Sequence, residues 1–227
     1  MVTEVLAGWL RAVDEIQRRS NWRGEIWDRS PEERSSIVAS VCEALEAAYG
    51  LPRFGNPVEP LDDLIYTVLT NKASPGVARR LFEQVKERFA TWDEVLESPD
   101  TLPQLIQPGG LAVKKSAQIV ATLRKVRSDF GACNLDPLKN RPEPEVEGYL
   151  VSLPGVSLKV AKCVMMYTLG AAVLPVDAHV HRVARRLGWT QRKRADQCHE
   201  EFEALVPRER RHAFHVDCIA HGLPNAA

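Results

Sequence analysis

Apolar side chains recur along most of the chain at intervals of three and four residues, the spacing of one face of an α-helix. Residues 5–16 show this spacing first. Ser30-Pro-Glu-Glu33 then forms a helix start signal, with Ser30 as N-cap and Glu33 completing a capping box. Gly50 marks the end of that helix. No stretch alternates between apolar and polar residues over a useful length, so the pattern predicts an all-α fold of about ten helices.

Breaks between the later helices coincide with proline and glycine. Three prolines and Gly55 lie in a loop at 51–60, Pro108-Gly-Gly110 precedes the longest helix, and three more prolines lie at 131–144. Proline lacks a backbone donor and glycine is conformationally free, so both interrupt helices. After the helix that starts at Pro31, the predicted helices are 61–69, 77–89, 92–96, 101–106, 112–127, 145–151, 157–169, 178–187, 195–205 and 208–220.

The segment Leu153-Pro-Gly-Val-Ser-Leu-Lys159 predicts a tight hairpin that opens a helix. Gly155 accepts the backbone conformation of the turn, and the N–H groups of Gly155, Val156 and Ser157 can converge on a phosphate oxygen. Lys159 lies in the first helical turn, where the positive end of the helix dipole favours a neutral, nucleophilic amine. A solvated lysine beside a helix N-terminus is the alternative.

The helix 157–169 is predicted to bury one side only. Its core stripe is Val160, Ala161, Val164, Met165 and Thr168. The opposite side carries Lys159, Lys162, Cys163 and Met166, and its partly polar character is typical of a cleft wall.

Asp177 is predicted to be the N-cap of the helix 178–187. Capping alone can account for a carboxylate at this position. An N-cap carboxylate at a cleft edge stays ionised, however, so it can also face a substrate.

Charge is balanced over the whole chain but not along it. The totals are 30 basic and 30 acidic side chains. Residues 1–110 carry 12 basic and 18 acidic side chains (net −6), and residues 111–227 carry 18 and 12 (net +6). The basic half holds the hairpin, as expected if one face meets a phosphate backbone. Ordinary charge scatter in a neutral enzyme is the alternative.

Cysteine usage predicts a reduced, intracellular chain. The five cysteines are odd in number, and no pair shows C-x-x-C spacing. No apolar run approaches the ~20 residues that span a bilayer. His215, Cys218 and His221 lie near one helical face, but they have no supporting carboxylate, so no metal site is predicted.

Taken together, Leu153–Ala161 and Pro175–Val183 resemble the helix-hairpin-helix and Gly-Pro-Asp signature of endonuclease III-type DNA glycosylases. The similarity covers about residues 35–222, and the spacing of lysine and aspartate is its most specific part. Three other segments contribute to it: 60–70, which resembles the helix before the DNA-inserting loop, 106–119, and 212–222.

The resemblance implies two helical lobes with a cleft between them. The expected division is an N-terminal helical extension at 1–30, a discontinuous lobe of 31–56 and 172–227, and a central lobe of 57–171 that ends in the hairpin. The implied partner is double-stranded DNA with a damaged or modified base, bound by a monomer. For such a protein we expect a cytoplasmic location, associated with the nucleoid if the source is prokaryotic.

The same resemblance implies base excision with strand cleavage. The base flips into a pocket between the lobes, Lys159 attacks the sugar C1′ to form a Schiff base, and β-elimination breaks the strand. Asp177 would support lysine deprotonation and stabilise positive charge on the sugar. The implied DNA contacts are Gly155, Val156, Ser157, Lys162, Asn71 and Lys72.

Three features depart from the family pattern. Ser157 replaces the second glycine of the hairpin, and Lys72 stands where a glutamine commonly enters the duplex. The chain also ends at Ala227 without the four closely spaced cysteines that hold a [4Fe–4S] cluster in many relatives. We therefore expect no cofactor. A naturally cluster-free branch and a shortened chain are both open explanations.

Several functions remain open at this point. Oxidised pyrimidines are the default substrate class for endonuclease III. The segments Leu158-Lys159, Pro175-Val-Asp177 and Leu187-Gly-Trp189 also resemble the plant 5-methylcytosine glycosylases, so a modified or mismatched pyrimidine is an alternative. A non-catalytic helix-hairpin-helix DNA-binding protein and an unrelated all-α interaction protein are the others.

Overall fold

The first described helix begins and ends where the sequence predicts. The computed structural model describes residues 26–222. In α1 (Pro31–Tyr49), Ser30 Oγ accepts the Glu33 N–H at 3.2 Å, and Glu33 Oε2 accepts the Ser30 N–H at 3.0 Å. At the other end, Gly50 has a left-handed backbone (φ 64°), and its N–H donates to the Glu46 carbonyl. The predicted capping box is confirmed.

Ten further α-helices follow within the described residues, and no β-strand occurs there, which confirms the all-α prediction. The predicted helices at 195–205 and 208–220 each begin with a separate 3₁₀ turn, and the predicted helix at 5–16 lies outside the described residues. The helices are α2 (Pro60–Thr70), α3 (Pro75–Arg88), α4 (Trp92–Glu97), α5 (Leu102–Leu105), α6 (Ala112–Phe130), α7 (Glu143–Ser152), α8 (Leu158–Thr168), α9 (Ala178–Arg186), α10 (His199–Leu205) and α11 (Arg211–Gly222).

These residues form two compact units. The first combines residues 26–54 and 172–222, and the second is Gly55–Ala171. Of the predicted extension at 1–30, only residues 26–30 are described. No helix among residues 26–222 is both long and apolar enough to cross a membrane.

The discontinuous unit is organised around Trp189. Its ring is fully buried and stacks on Phe214 of α11 with centroids 5.5 Å apart. Trp27 donates its indole N–H to both the Trp189 carbonyl and the Glu201 carboxylate, each at 2.9 Å. Aromatic burial of this size contributes a large part of the stability of a small core. Within this unit α9, whose N-cap is Asp177, packs against α11.

In the second unit α2 is the central helix. Nine of its eleven residues are buried, and it packs against α3, α6 and α8. The prediction that the partly polar side of α8 forms a cleft wall was wrong for three of its residues. Lys162, Cys163 and Met166 are each no more than 5% exposed, because α8 packs against both α2 and α7.

Candidate active site

The helix-hairpin-helix consists of α7, a five-residue turn at 153–157, and α8. Its carbonyls are tied to α6: Gln118 Nε2 donates to the Gly155 carbonyl at 2.9 Å, and Thr122 Oγ1 donates to the Pro154 carbonyl at 3.3 Å. The Val156 N–H closes the turn by donating to the Leu153 carbonyl at 3.1 Å. Within the described residues, the N–H groups of Gly155 and Ser157 make no such bond. Two of the three predicted amides are therefore available to a phosphate.

Ser157 serves the hairpin without the glycine that its relatives use. Its backbone is extended (φ −83°, ψ 163°), a conformation that any residue adopts. Its Oγ accepts the Val160 N–H at 3.4 Å and so caps α8. The departure from the family pattern thus leaves the turn geometry intact and adds a helix cap.

Residues other than glycine do not fit easily at position 155, because its φ of +72° lies in the left-handed region. A Cβ at this position would lie 2.7 Å from Gln118 Cδ, the group that holds the turn. For Gly155→Ala we expect a loss of about 1–2 kcal/mol from the left-handed backbone. We also expect about tenfold weaker DNA binding, equivalent to one lost hydrogen bond to phosphate. Denaturant unfolding and fluorescence anisotropy measure the two effects.

Gly148 in α7 provides a matched control. A Cβ there would meet no atom within 4 Å, and alanine is the better helix former. Gly148→Ala should leave DNA affinity unchanged and stability equal or higher. Equal losses in both variants would show that the hairpin backbone has no special role.

Lys159 is the second residue of α8 and is half-buried. Its charge acts on the buried Asp63 of α2, the helix against which α8 packs. Lys162 lies one turn later and is placed differently. Its side chain is 5% exposed, and its ammonium lies 3.4 Å from Glu147 Oε2 of α7. The predicted contact between Lys162 and DNA therefore gains no support, because its ammonium is buried and paired with Glu147.

Asn71 and Lys72 are both exposed in the turn that follows α2. Lys72 has a left-handed backbone (φ 58°), which costs energy for a residue with a side chain. The Ala73 N–H donates to the Thr70 carbonyl at 3.1 Å and closes the turn. The turn therefore holds both side chains at the surface, where the sequence placed them.

Lys115, in the first turn of α6, was missed by sequence reasoning. It is 2% exposed and donates to the carbonyls of Leu69 at 2.9 Å and Gly109 at 3.1 Å. Burial lowers the pKa of Lys115. The lysine thereby ties the end of α2 to the loop before α6, where Leu111 is 50% exposed with φ 54°. No sequence signal separates Lys115 from its exposed neighbour Lys114.

In the first unit, Asp177 is the N-cap of α9, as predicted. Its Oδ1 accepts the N–H groups of His179 at 2.8 Å and Val180 at 2.9 Å. The residue is half-buried, and no hydrogen bond is formed by Oδ2 within the described chain. One oxygen therefore caps the helix and the other remains free to meet a substrate.

The described residues do not form a ligand set for an iron–sulfur cluster. Residues 26–222 contain no group of three or more His, Cys, Asp or Glu side chains that could hold a metal ion. The five cysteines are free thiols. Burial raises the pKa of Cys42 to about 12 and that of Cys218 far above its usual value, so both thiols are protonated at neutral pH.

Sequence comparison identifies the class of protein to which these features belong. Residues 65–208 match the HhH-GPD superfamily of base excision DNA repair proteins. The chain therefore belongs to this superfamily. The match includes the hairpin, Lys159 and Asp177.

Individual relatives carry glycosylase names. An Arabidopsis thaliana protein provisionally named a DNA glycosylase is 30% identical over 71% of this chain, which covers 55% of that protein. Endonuclease III of Thermotoga maritima is 28% identical over 73% of the chain and 74% of the enzyme. The A. thaliana DNA glycosylase/AP lyase ROS1 is 35% identical over 38% of the chain, which spans 6% of ROS1.

The fold is that of endonuclease III. A trapped covalent complex of endonuclease III with DNA superposes with a TM-score of 0.69, over 82% of this chain and 84% of that one, at 21% identity. The predicted endonuclease III-like fold is thereby confirmed.

Proposed function

We propose that the protein is a DNA glycosylase with AP-lyase activity, which removes a damaged or modified pyrimidine from duplex DNA through a Schiff base on Lys159. The observation that carries the proposal is the position of Lys159 in the first turn of the helix behind the hairpin. The two available hairpin amides bind the phosphate backbone and hold α8 against the strand. A lysine amine is the side chain that forms imines with a sugar carbon.

The proposed reaction begins with the neutral amine of Lys159. Nζ attacks C1′ of the flipped nucleotide, the glycosidic bond breaks, and the base leaves with the bonding electrons and takes up a proton. The ring oxygen then leaves C1′ as a hydroxyl group while Nζ and C1′ form an iminium. Loss of a C2′ proton expels the 3′ phosphate by β-elimination, and hydrolysis of the imine releases the enzyme.

Two further elements have assigned parts in the proposal. Asp177 stabilises positive charge on the sugar through the carboxylate oxygen that the helix cap does not use. Asn71, Lys72 and the exposed Leu111 contact the duplex beside the flipped nucleotide, since apolar and polar side chains inserted between bases fill such gaps. Lys115 holds their two loops together.

A modified or mismatched pyrimidine is the second candidate substrate. The segments Leu158-Lys159, Pro175-Val-Asp177 and Leu187-Gly-Trp189 support it, because they resemble the plant 5-methylcytosine glycosylases. Activity on duplexes that carry different modified or mismatched bases decides between the two candidates.

Borohydride trapping tests the proposal directly. The full chain is incubated with duplexes carrying thymine glycol, 5-methylcytosine, G·T, G·U or an abasic site, with and without borohydride. We expect a covalent adduct with the abasic duplex and with one class of modified pyrimidine. Tight binding to the abasic duplex without adduct or cleavage would instead identify a non-catalytic DNA-binding protein.

A further inference from the structure

Asp63 is a fully buried carboxylate in the first turn of α2. It is 0% exposed. Its Oδ1 accepts a hydrogen bond from Asn56 Nδ2 at 2.7 Å, and its Oδ2 is enclosed without a hydrogen-bond partner in the described chain. An enclosed polar atom without a partner costs stability and calls for a functional or electrostatic reason.

The compensating charge comes from the candidate nucleophile. Burial raises the pKa of Asp63 to about 6, and the Asn56 hydrogen bond and then the charge of Lys159 oppose this rise. Several cations on the helices packed against α2 contact other groups: Lys86 of α3 pairs with Asp62, Arg79 of α3 lies over the Tyr66 ring, and Lys115 of α6 donates to two backbone carbonyls. On α8 itself, Lys162 is paired with Glu147. Lys159 lies on α8, a helix that packs directly against α2, and its charge lowers the pKa of Asp63.

We propose that Asp63 is a positioning residue for Lys159, which draws the Lys159 ammonium toward α2 in the resting protein and sets the pH at which the amine becomes a free nucleophile. The inference rests on the proposed lyase function. A nearby carboxylate favours the ammonium form, so Asp63 keeps Lys159 charged and oriented until the proton leaves. Asp63 does not touch the sugar, and its effect passes entirely through Lys159.

The stability of the protein supplies an independent signature. Because the folded-state pKa of Asp63 is raised, its contribution to stability is present below its unfolded pKa and is lost as the pH rises through about 6. Asparagine carries no charge, so Asp63→Asn does not lose this stability as the pH rises. The variant should therefore melt at a higher temperature than the wild type at pH 7.5, and the difference in melting temperature should be smaller at pH 5.

The experiment compares Asp63→Asn with Asp62→Asn. Asp62 is the preceding residue in α2 and accepts hydrogen bonds from Trp92 Nε1 at 2.6 Å and Lys86 Nζ at 3.3 Å. The first readout is the titration of Lys159 itself, followed by NMR after reductive methylation with ¹³C-formaldehyde. Nine lysines are few enough to resolve, and Lys159→Arg identifies the signal.

In Asp63→Asn we expect the pKa of Lys159 to fall by about one unit, since an opposite charge has been removed. The rate of cleavage of abasic DNA should then rise with pH at a correspondingly lower pH. The maximal cleavage rate at high pH should be severalfold lower than that of the wild type, because the amine is less well oriented. Asp62→Asn should change neither titration nor profile, and Asp63→Glu should restore a titration near that of the wild type.

An unchanged Lys159 titration in Asp63→Asn, or an equal shift in Asp62→Asn, would overturn the proposal. A wild-type protein that neither traps nor cleaves abasic DNA would remove the lyase function instead. The NMR titration needs no DNA, so it decides the link between Asp63 and Lys159 in either case.

Discussion

Replacement of Lys159 by alanine is expected to abolish the borohydride-trapped adduct and to reduce strand cleavage about 10⁴-fold or more, since the proposed reaction forms the imine on this amine. The fold should persist, because Lys159 is half-buried and the cap of α8 comes from Ser157. Single-turnover cleavage of an abasic duplex, gel analysis of trapped adducts and circular dichroism measure these outcomes. Lys159→Arg should retain DNA affinity through its charge and should also form no adduct.

Lys125→Ala is a suitable control for this prediction. Lys125 is a half-exposed lysine of α6 that pairs with Asp129 at 2.9 Å, four residues along the helix. Loss of such a pair costs about 0.3–0.5 kcal/mol and should leave trapping unchanged. Full trapping by Lys159→Ala, with strand cleavage retained, would assign the nucleophile to a different residue.

Helix positions in this chain follow from local chemistry. The Ser30–Glu33 capping box needs four neighbouring residues to form, and Gly50 ends the helix through its own backbone. The hairpin is equally local, since Gly155 supplies a left-handed turn between two helices. Such features depend on nearest neighbours in sequence, so their residue types predict them directly.

The burial of charged side chains could not be predicted in the same way. Lys162 and Asp63 are charged residues whose burial depends on which helices pack together. Periodicity placed Lys162 on a cleft wall, because it cannot show that α7 covers that side of α8 with Glu147. Lys115 was missed for the same reason, since its acceptor on Leu69 lies 46 residues away.

Substitution can separate the capping role of Asp177 from its proposed role at the sugar. Asparagine and serine cap helices about as well as aspartate, because each offers an oxygen to the first free N–H groups of the helix. Neither carries a charge. In Asp177→Asn and Asp177→Ser, the bonds to His179 and Val180 can therefore persist while the carboxylate that would face the sugar is removed.

For Asp177→Asn we expect wild-type stability with base excision slowed about 10²- to 10⁴-fold, the range for loss of one acid–base or charge-stabilising group. Cleavage of a preformed abasic site should suffer less, because positive charge develops on the sugar mainly as the base departs. Asp177→Ala should show the same slow excision and also lose about 1 kcal/mol of stability with the cap. Thermal unfolding and single-turnover assays on both substrates separate the two roles. Wild-type excision by Asp177→Asn would leave Asp177 with capping alone, since only the charge differs between the two proteins.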